Sequence, residues 1–167
     1  MGIYDRDYVF RKTPTRRLNM QSFNTILIVA NLAIYVIGFL SPRIREIMLE
    51  YGYFSTYRVT PHGGLQFWRF LTFQFLHANF MHVGFNMLGL LVFGPLVEQH
   101  LGSRRYLALY LTCGICGGLS YLLLNALGTA AAQMHLMHIP VLLYNPAGAT
   151  GMSDVPLIGA SAGVFGV

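Results

Sequence analysis

A serine among small residues near the end of the chain is the first candidate for chemistry. Ser161 lies in residues 159–163 (GASAG), where a polar loop gives way to an apolar stretch that predicts the start of a helix. Small neighbours leave the backbone open to a substrate, and free N–H groups at a helix start can stabilise an oxyanion. The alternative is a close helix contact through Gly159 and Gly163, with an incidental serine. On this motif alone, the helix contact is the favoured interpretation.

A second polar set interrupts the apolar residues 67–97. His82 and Asn86 are four residues apart, so they share one face of a helix, whereas His77 points elsewhere or precedes the helix. Polar groups in a membrane helix usually face the protein interior and often have a function. A serine, a histidine and an amide at one depth in the membrane would together form a site.

The composition predicts an all-α, polytopic bundle of transmembrane helices. Of the 167 residues, 54% are hydrophobic and 10% are charged, against about 25% charged in a soluble domain. Helices are expected at about residues 22–40, 81–97 and 106–127, with the start of a fourth at 157–167, which is too short to span. The first helix is too long for a signal peptide and no cleavage site follows it. Gly114 and Gly118 have the G-x-x-x-G spacing of a close helix contact.

The remaining segments connect these helices. Residues 41–66 mix charge with aromatic residues and suit the membrane interface. Residues 128–156 are predicted to be a long loop that does not span. The chain divides into a cytoplasmic N-terminal segment, residues 1–20, and a partial membrane domain, residues 21–167.

Basic residues predict the orientation of the bundle. The loop of residues 128–156 has no Lys or Arg, whereas the N-terminal segment and the connector between the second and third helices carry Arg6, Arg11, Lys12, Arg16, Arg17, Arg104 and Arg105. By the positive-inside rule the N-terminus is cytoplasmic. The second and fourth helices then both begin at the outer side, which brings Ser161, His82 and Asn86 to one depth. The net charge of +5 is mostly this orientation signal, and no basic stripe with stacking aromatics indicates nucleic-acid binding.

Four motifs in order resemble one family. H-x4-H-x3-N ends at Asn86, Trp68-Arg69 lies upstream, Glu98 begins E-x-x-x-G, and G-x-S ends at Ser161. Together they are similar to the motifs of rhomboid proteases, which cut peptide bonds in or beside transmembrane helices.

The resemblance implies roles for individual residues. Ser161 would be the nucleophile, and Asn86 and His82 would join the Ser161 N–H as oxyanion donors. The supporting positions would be His77, Trp68, Arg69, Glu98 and Gly159. The general base would be a histidine on a later helix, without an acidic partner. No cofactor or metal is implied, the partners would be transmembrane substrates and the lipid bilayer, and the expected location is a bacterial inner membrane with the site facing outward.

Two departures from the family pattern stand out. Ala162 follows the serine where the family usually has Gly, and no histidine in the chain is a convincing base. His100 is at the cytoplasmic side, and the remaining candidates are loop-borne or match other roles: His62, His77, His82, His135 and His138. The 167-residue polypeptide alone is therefore predicted to be inactive, and the full-length protein active.

Alternatives remain at this point. One is a rhomboid-like pseudoprotease that binds client helices without cutting them. Another is a transporter or channel subunit, which would predict repeated halves with broken helices, and no internal repeat is present. Cys113 and Cys116 have C-x-x-C spacing, but packing within an apolar helix is the favoured interpretation. His135 and His138 lie beside methionines and could bind copper, but an interfacial loop with incidental histidines is the favoured interpretation.

Overall fold

The computed structural model describes residues 22–133 and 156–166, in which helices predominate and no strand occurs. The α-helices are α1 (Phe23–Leu40), α2 (Pro42–Gly52), α3 (Thr56–Val59), α4 (Arg69–Thr72), α5 (Phe80–Val92), α6 (Gly94–Leu101), α7 (Ser103–Gln133) and α8 (Ser161–Gly166). Two 3-10 turns, Pro61–Gly63 and Phe73–Phe75, lie in the connector between α1 and α5. The predicted segment of residues 1–20 lies outside the described residues.

The long apolar helices have the length and hydropathy of membrane spans. Phe23–Leu40 and Ser103–Leu127 each qualify alone, and Arg69–Phe75 with Phe80–Val92 would form a third span, broken by a 96° bend. Their exposed apolar side chains provide a surface for lipid, including Val36, Phe39, Phe85, Leu88, Leu123 and Leu124. The predicted all-α membrane bundle is confirmed.

Side-chain caps fix where the helices begin. The Ser22 hydroxyl accepts from Thr25 N–H at the start of α1, and Ser41 caps α2 just before Pro42. Asn79 caps α5 by accepting from the N–H of His82. An N-cap oxygen satisfies a main-chain donor that the helix itself leaves free. The cap at Asn79 therefore sets the first turn of α5, on which His82 lies.

Three helices have other boundaries in the structure than the sequence predicted, and one of them is the fourth, which was expected to start at residue 157 and begins at Ser161. The helix expected at residues 81–97 is two helices that meet at Phe93, since Pro95 has no N–H to continue α5 and Asn24 presses against Gly94. The helix expected at residues 106–127 begins at Ser103 and continues to Gln133. Its last residues include three consecutive alanines, strong helix formers, and were wrongly placed in the following loop.

Two apolar clusters hold the helices together. The first lies between α1, α5, α7 and α8, and its buried members are Leu27, Ile28, Val83, Met87, Leu90, Tyr106, Tyr110, Ala160 and Val164. The second joins the connector to α7 through Phe54, Val59, Phe73 and Tyr121. The Phe54 ring lies edge-on to Phe70 at 4.7 Å between centroids. The connector is thus packed against the bundle by its own aromatic core.

The glycines of α7 admit close neighbours, but the neighbour is not a spanning helix. A Cβ at Gly114 would overlap the Gln74 side chain, and one at Gly118 would crowd Phe70. Both contacts are with the bent segment Arg69–Phe75. The G-x-x-x-G spacing therefore makes room for this segment of the connector.

Glu98 joins three helices at the end of the bundle opposite Asn79. Its carboxylate accepts from the Ser22 hydroxyl, from Phe23 N–H at 2.8 Å and from Asn24 N–H at 3.3 Å. The Asn24 side chain in turn accepts from the Tyr106 hydroxyl at 2.7 Å and donates to Leu90 O at 3.1 Å. A carboxylate at the start of α1 also complements the helix dipole. This network fixes α1 against α5, α6 and α7.

Glu98→Gln is expected to lower the free energy of unfolding by about 2 kcal/mol, because charged acceptors make the stronger hydrogen bonds. Burial would raise the pKa of Glu98, but hydrogen bonds from Ser22, Ser103 and main-chain N–H groups outweigh it and hold the pKa below the ordinary 4.5. Its contribution is therefore present above pH 4.5 and is lost as the pH falls through the lowered value. Unfolding in detergent at several pH values checks this.

The exposed Glu46 of α2 provides the control for this experiment. Glu46→Gln is expected to leave stability within about 0.5 kcal/mol of the wild type. Equal losses for Glu46→Gln and Glu98→Gln would contradict the capping role.

Candidate active site

The turn before Ser161 is tied to the connector by main-chain hydrogen bonds. Phe54 and Leu157 form an isolated antiparallel bridge, with N···O distances of 3.0 and 2.7 Å. The N–H of Gly159 donates to Phe73 O at 2.9 Å. The position of Ser161, the first residue of α8, therefore depends on the connector as well as on the helices.

Gly159 is the point at which this turn meets α5. Its φ is +125°, a conformation that side-chain-bearing residues rarely adopt, and a Cβ there would lie under 3.0 Å from Nε2 and Cε1 of His82. The imidazole of His82 is therefore seated against the glycine two residues before Ser161. Only a glycine provides both the backbone angle and the room.

Two imidazoles lie at this junction, and a buried amide lies one turn further along α5. The rings of His77 and His82 are edge to face, 5.1 Å apart between centroids. His77 is buried, with 6% of its surface exposed. Asn86, one turn after His82, is also buried, and its Nδ2 has no hydrogen-bond partner in the part of the chain that the structure describes. A buried donor without a partner is costly. The donor of this amide is therefore unused within the described residues.

Helix α8 fits between α5 and α7 because small residues face it. Val164 lies where a Cβ on Gly89 of α5 would be, and the Tyr110 ring covers Gly163. The methyl group of Ala162 occupies the space left by Gly117 of α7. Ala162, the departure from the family pattern, is accommodated in this way.

Arg69 and Trp68 hold the connector in shape. Arg69, with 1% of its surface exposed, donates to Glu50 O at 2.6 Å, to Tyr53 O at 2.5 Å and to Gln66 Oε1 at 2.7 Å. Trp68 is half exposed and donates through Nε1 to Tyr51 O at 3.1 Å. Because these bonds satisfy carbonyls at the end of α2, the two residues maintain the connector and do not reach the junction.

The structure brings some of the predicted site residues together and leaves others apart. His82 contacts both His77 and Gly159. Ser161 lies two residues after Gly159 in the chain, and Asn86 lies one turn after His82 on α5. Glu98 belongs to the hydrogen-bond network at the other end of the bundle. His135 and His138 lie outside the described residues. Cys113 and Cys116 are free thiols, and Cys113 packs against Gly166.

Several residues that position the site were missed by sequence reasoning. Phe73 holds Gly159 through its carbonyl, and Phe54 holds Leu157, so neither contact depends on side-chain type. Gly89 and Gly117 were detectable in principle, because glycine in the interior of a helix is unfavourable and often indicates close packing. The partner of each glycine could not be identified without the fold.

The fold is that of a helical membrane protein with a serine at the start of a short helix and an imidazole against the glycine two residues before that serine. Residues 64–167 match the family model of the Rhomboid domain, and this match covers well over half of the chain. The chain therefore belongs to the rhomboid family, whose members are in general intramembrane serine proteases. No curated protein and no solved structure gave a significant match.

Proposed function

We propose that this protein is an intramembrane serine endopeptidase that cleaves transmembrane segments of membrane proteins, with Ser161 as nucleophile. The observation that carries the proposal is the seating of His82 against Gly159, which links α5 to the start of α8. The unpartnered Nδ2 of Asn86 lies on the same helix. A nucleophile with hydrogen-bond donors beside it is the arrangement that acyl transfer requires.

The proposed reaction gives each group one task. Ser161 Oγ attacks the scissile carbonyl carbon, its proton passes to a general base, and the carbonyl oxygen becomes an oxyanion. Asn86 Nδ2, the His82 imidazole and the Ser161 N–H donate to that oxyanion. The amine then leaves with the proton, and water releases the acyl group by the same steps. The family resemblance implies that the base is a histidine on a helix after α8.

Asn86→Ala is expected to lower kcat by about 100-fold or more, with a much smaller change in KM, because one oxyanion donor contributes about 2.7–4 kcal/mol. Its stability should change little, since Nδ2 has no partner to lose. The assay is cleavage of a transmembrane reporter in proteoliposomes by the protein expressed from its intact gene.

Asn125 is the matched control for Asn86. It is equally buried, but its Nδ2 donates to Thr56 Oγ1 at 2.8 Å, between α7 and α3. Asn125→Ala should lower stability and preserve kcat. An unchanged kcat in Asn86→Ala would remove this amide from the oxyanion site.

The pseudoprotease alternative has a distinct outcome in the same assay. A wild-type protein that binds a transmembrane client but neither cuts it nor reacts with a serine-directed phosphonate would support that alternative. The intact gene is the appropriate source for this assay, since the proposed base lies on a helix after α8.

A further inference from the structure

A narrow cleft opens between α1, α2 and the residues just before α5. Three of its lining side chains carry polar groups: Arg45 of α2, His77 and, through its hydroxyl, Tyr35 of α1. The other lining residues are Ile34, Gly38, Phe39, Met48, Leu49 and Leu76. The cleft lies on the α1 side of His77, whereas Gly159 contacts the His82 ring. It shares His77 with the proposed catalytic junction, but Ser161, Gly159 and His82 do not line it.

The cleft leads into a wider apolar groove. The two share Ile34, Met48 and Leu76, and the groove continues past Tyr51, Gly52, Trp68, Thr72 and Phe75, with a free volume of about 360 Å³. This is within the usual size of ligand pockets, about 300–1,000 Å³. The cleft itself has a free volume of only about 30 Å³, so the groove would hold a chain and the exposed Arg45 would meet a charged head.

The polar groups of the cleft have unused donors. One Nη of Arg45 donates to Ala78 O at 2.8 Å, while its other guanidinium nitrogens bond to no group in the described ranges. Both ring nitrogens of His77 are covered by the protein, so Arg45 supplies the charge that the cleft offers to a ligand. Neither residue has an acidic neighbour in the lining of the cleft. The complementary ligand group is therefore an anion with several acceptor oxygens.

We propose that this cleft and groove bind a glycerophospholipid, with its phosphodiester at Arg45 and an acyl chain along the groove. Arg45 follows the end of the spanning helix α1 by five residues, so it lies where the headgroups of the adjacent leaflet are found. Guanidinium groups bind phosphate through charge-assisted hydrogen bonds.

Native mass spectrometry of the purified protein in detergent, titrated with phosphatidylglycerol, tests this site without any measurement of protease activity. Arg45→Gln is expected to weaken lipid binding about tenfold, the effect of losing one charge-assisted interaction. Diacylglycerol with the same chains, which has no phosphate, should bind similarly weakly to the wild type. Ile34→Phe, at the junction of cleft and groove, should weaken phosphatidylglycerol binding because it obstructs the chain.

The matched control is Arg43→Gln, since Arg43 is an exposed arginine of the same helix that does not line the cleft. Its lipid affinity should stay within about twofold of the wild type. Equal losses for Arg43→Gln and Arg45→Gln would indicate diffuse charge attraction and overturn the proposal. Equal affinity for diacylglycerol and phosphatidylglycerol would do so as well, since the phosphate would then have no site. Thermal unfolding of each variant identifies any loss that comes from misfolding.

Discussion

The Ser161→Ala variant, made in the protein expressed from its intact gene, is expected to lose cleavage of a transmembrane reporter by at least about a thousandfold. An alanine methyl cannot attack a carbonyl, and loss of a serine nucleophile removes nearly all the catalysis that its partners support. The same substitution should abolish labelling by a serine-directed phosphonate. The fold should be unaffected, since Ser161 is only half buried and α8 is held by Ala160 and Val164.

Ser120 offers a matched control for Ser161. It is an exposed serine of α7, on another surface of the bundle. Ser120→Ala should cleave and label like the wild type. Labelling that persisted in Ser161→Ala would place the reactive serine elsewhere and refute the proposed nucleophile.

Residue patterns within one segment predicted the helices that form from that segment. An uncharged apolar run predicted the helix at residues 22–40, and α1 begins one residue later than that range. The four-residue spacing of His82 and Asn86 placed both on one helix, which α5 provides. Such predictions need only the periodicity of a helix and the thickness of a bilayer.

The connector could not be predicted in the same way. Its shape depends on Arg69 reaching the carbonyls of Glu50 and Tyr53 and on Phe54 pairing with Leu157 across the chain. Main-chain hydrogen bonds of this kind do not require particular residue types, so the sequence does not indicate them. His77 and Asn79 between Phe75 and Phe80 indicated a break in the sequence, but the 96° angle of the bend depends on tertiary packing. The glycines of α7 indicated a close approach but not by which element.

The His77–His82 pair shows where sequence and structure each contribute to the site. The spacing of the two histidines suggested that they point differently, and the structure places their rings in contact because His77 precedes the first turn of α5. Family resemblance supplied the roles of His82 and Asn86, and these roles remain predictions. The contact of His82 with Gly159 provides a way to test these roles, by substitution of the glycine.

Gly159→Ala is expected to lower activity by about 100-fold or more while the bundle stays folded. The new Cβ would lie under 3.0 Å from two atoms of His82, in a backbone conformation with φ +125° that favours glycine. The imidazole or the turn must therefore move, and small displacements of catalytic groups are known to cost about this much. Reporter cleavage by the protein from its intact gene, with thermal unfolding in parallel, measures both effects.

The control variant Gly102→Ala distinguishes backbone strain from displacement of His82 as the cause of this loss. The φ of Gly102 is +80°, yet a Cβ there would meet nothing within 4 Å. Gly102→Ala thus adds backbone strain, about 1–3 kcal/mol, without displacing a side chain. It should lower stability by about that amount and leave activity within a fewfold of the wild type. If Gly159→Ala were as active as Gly102→Ala, the seating of His82 against this turn would have no part in catalysis, and the proposed link between α5 and Ser161 would fail.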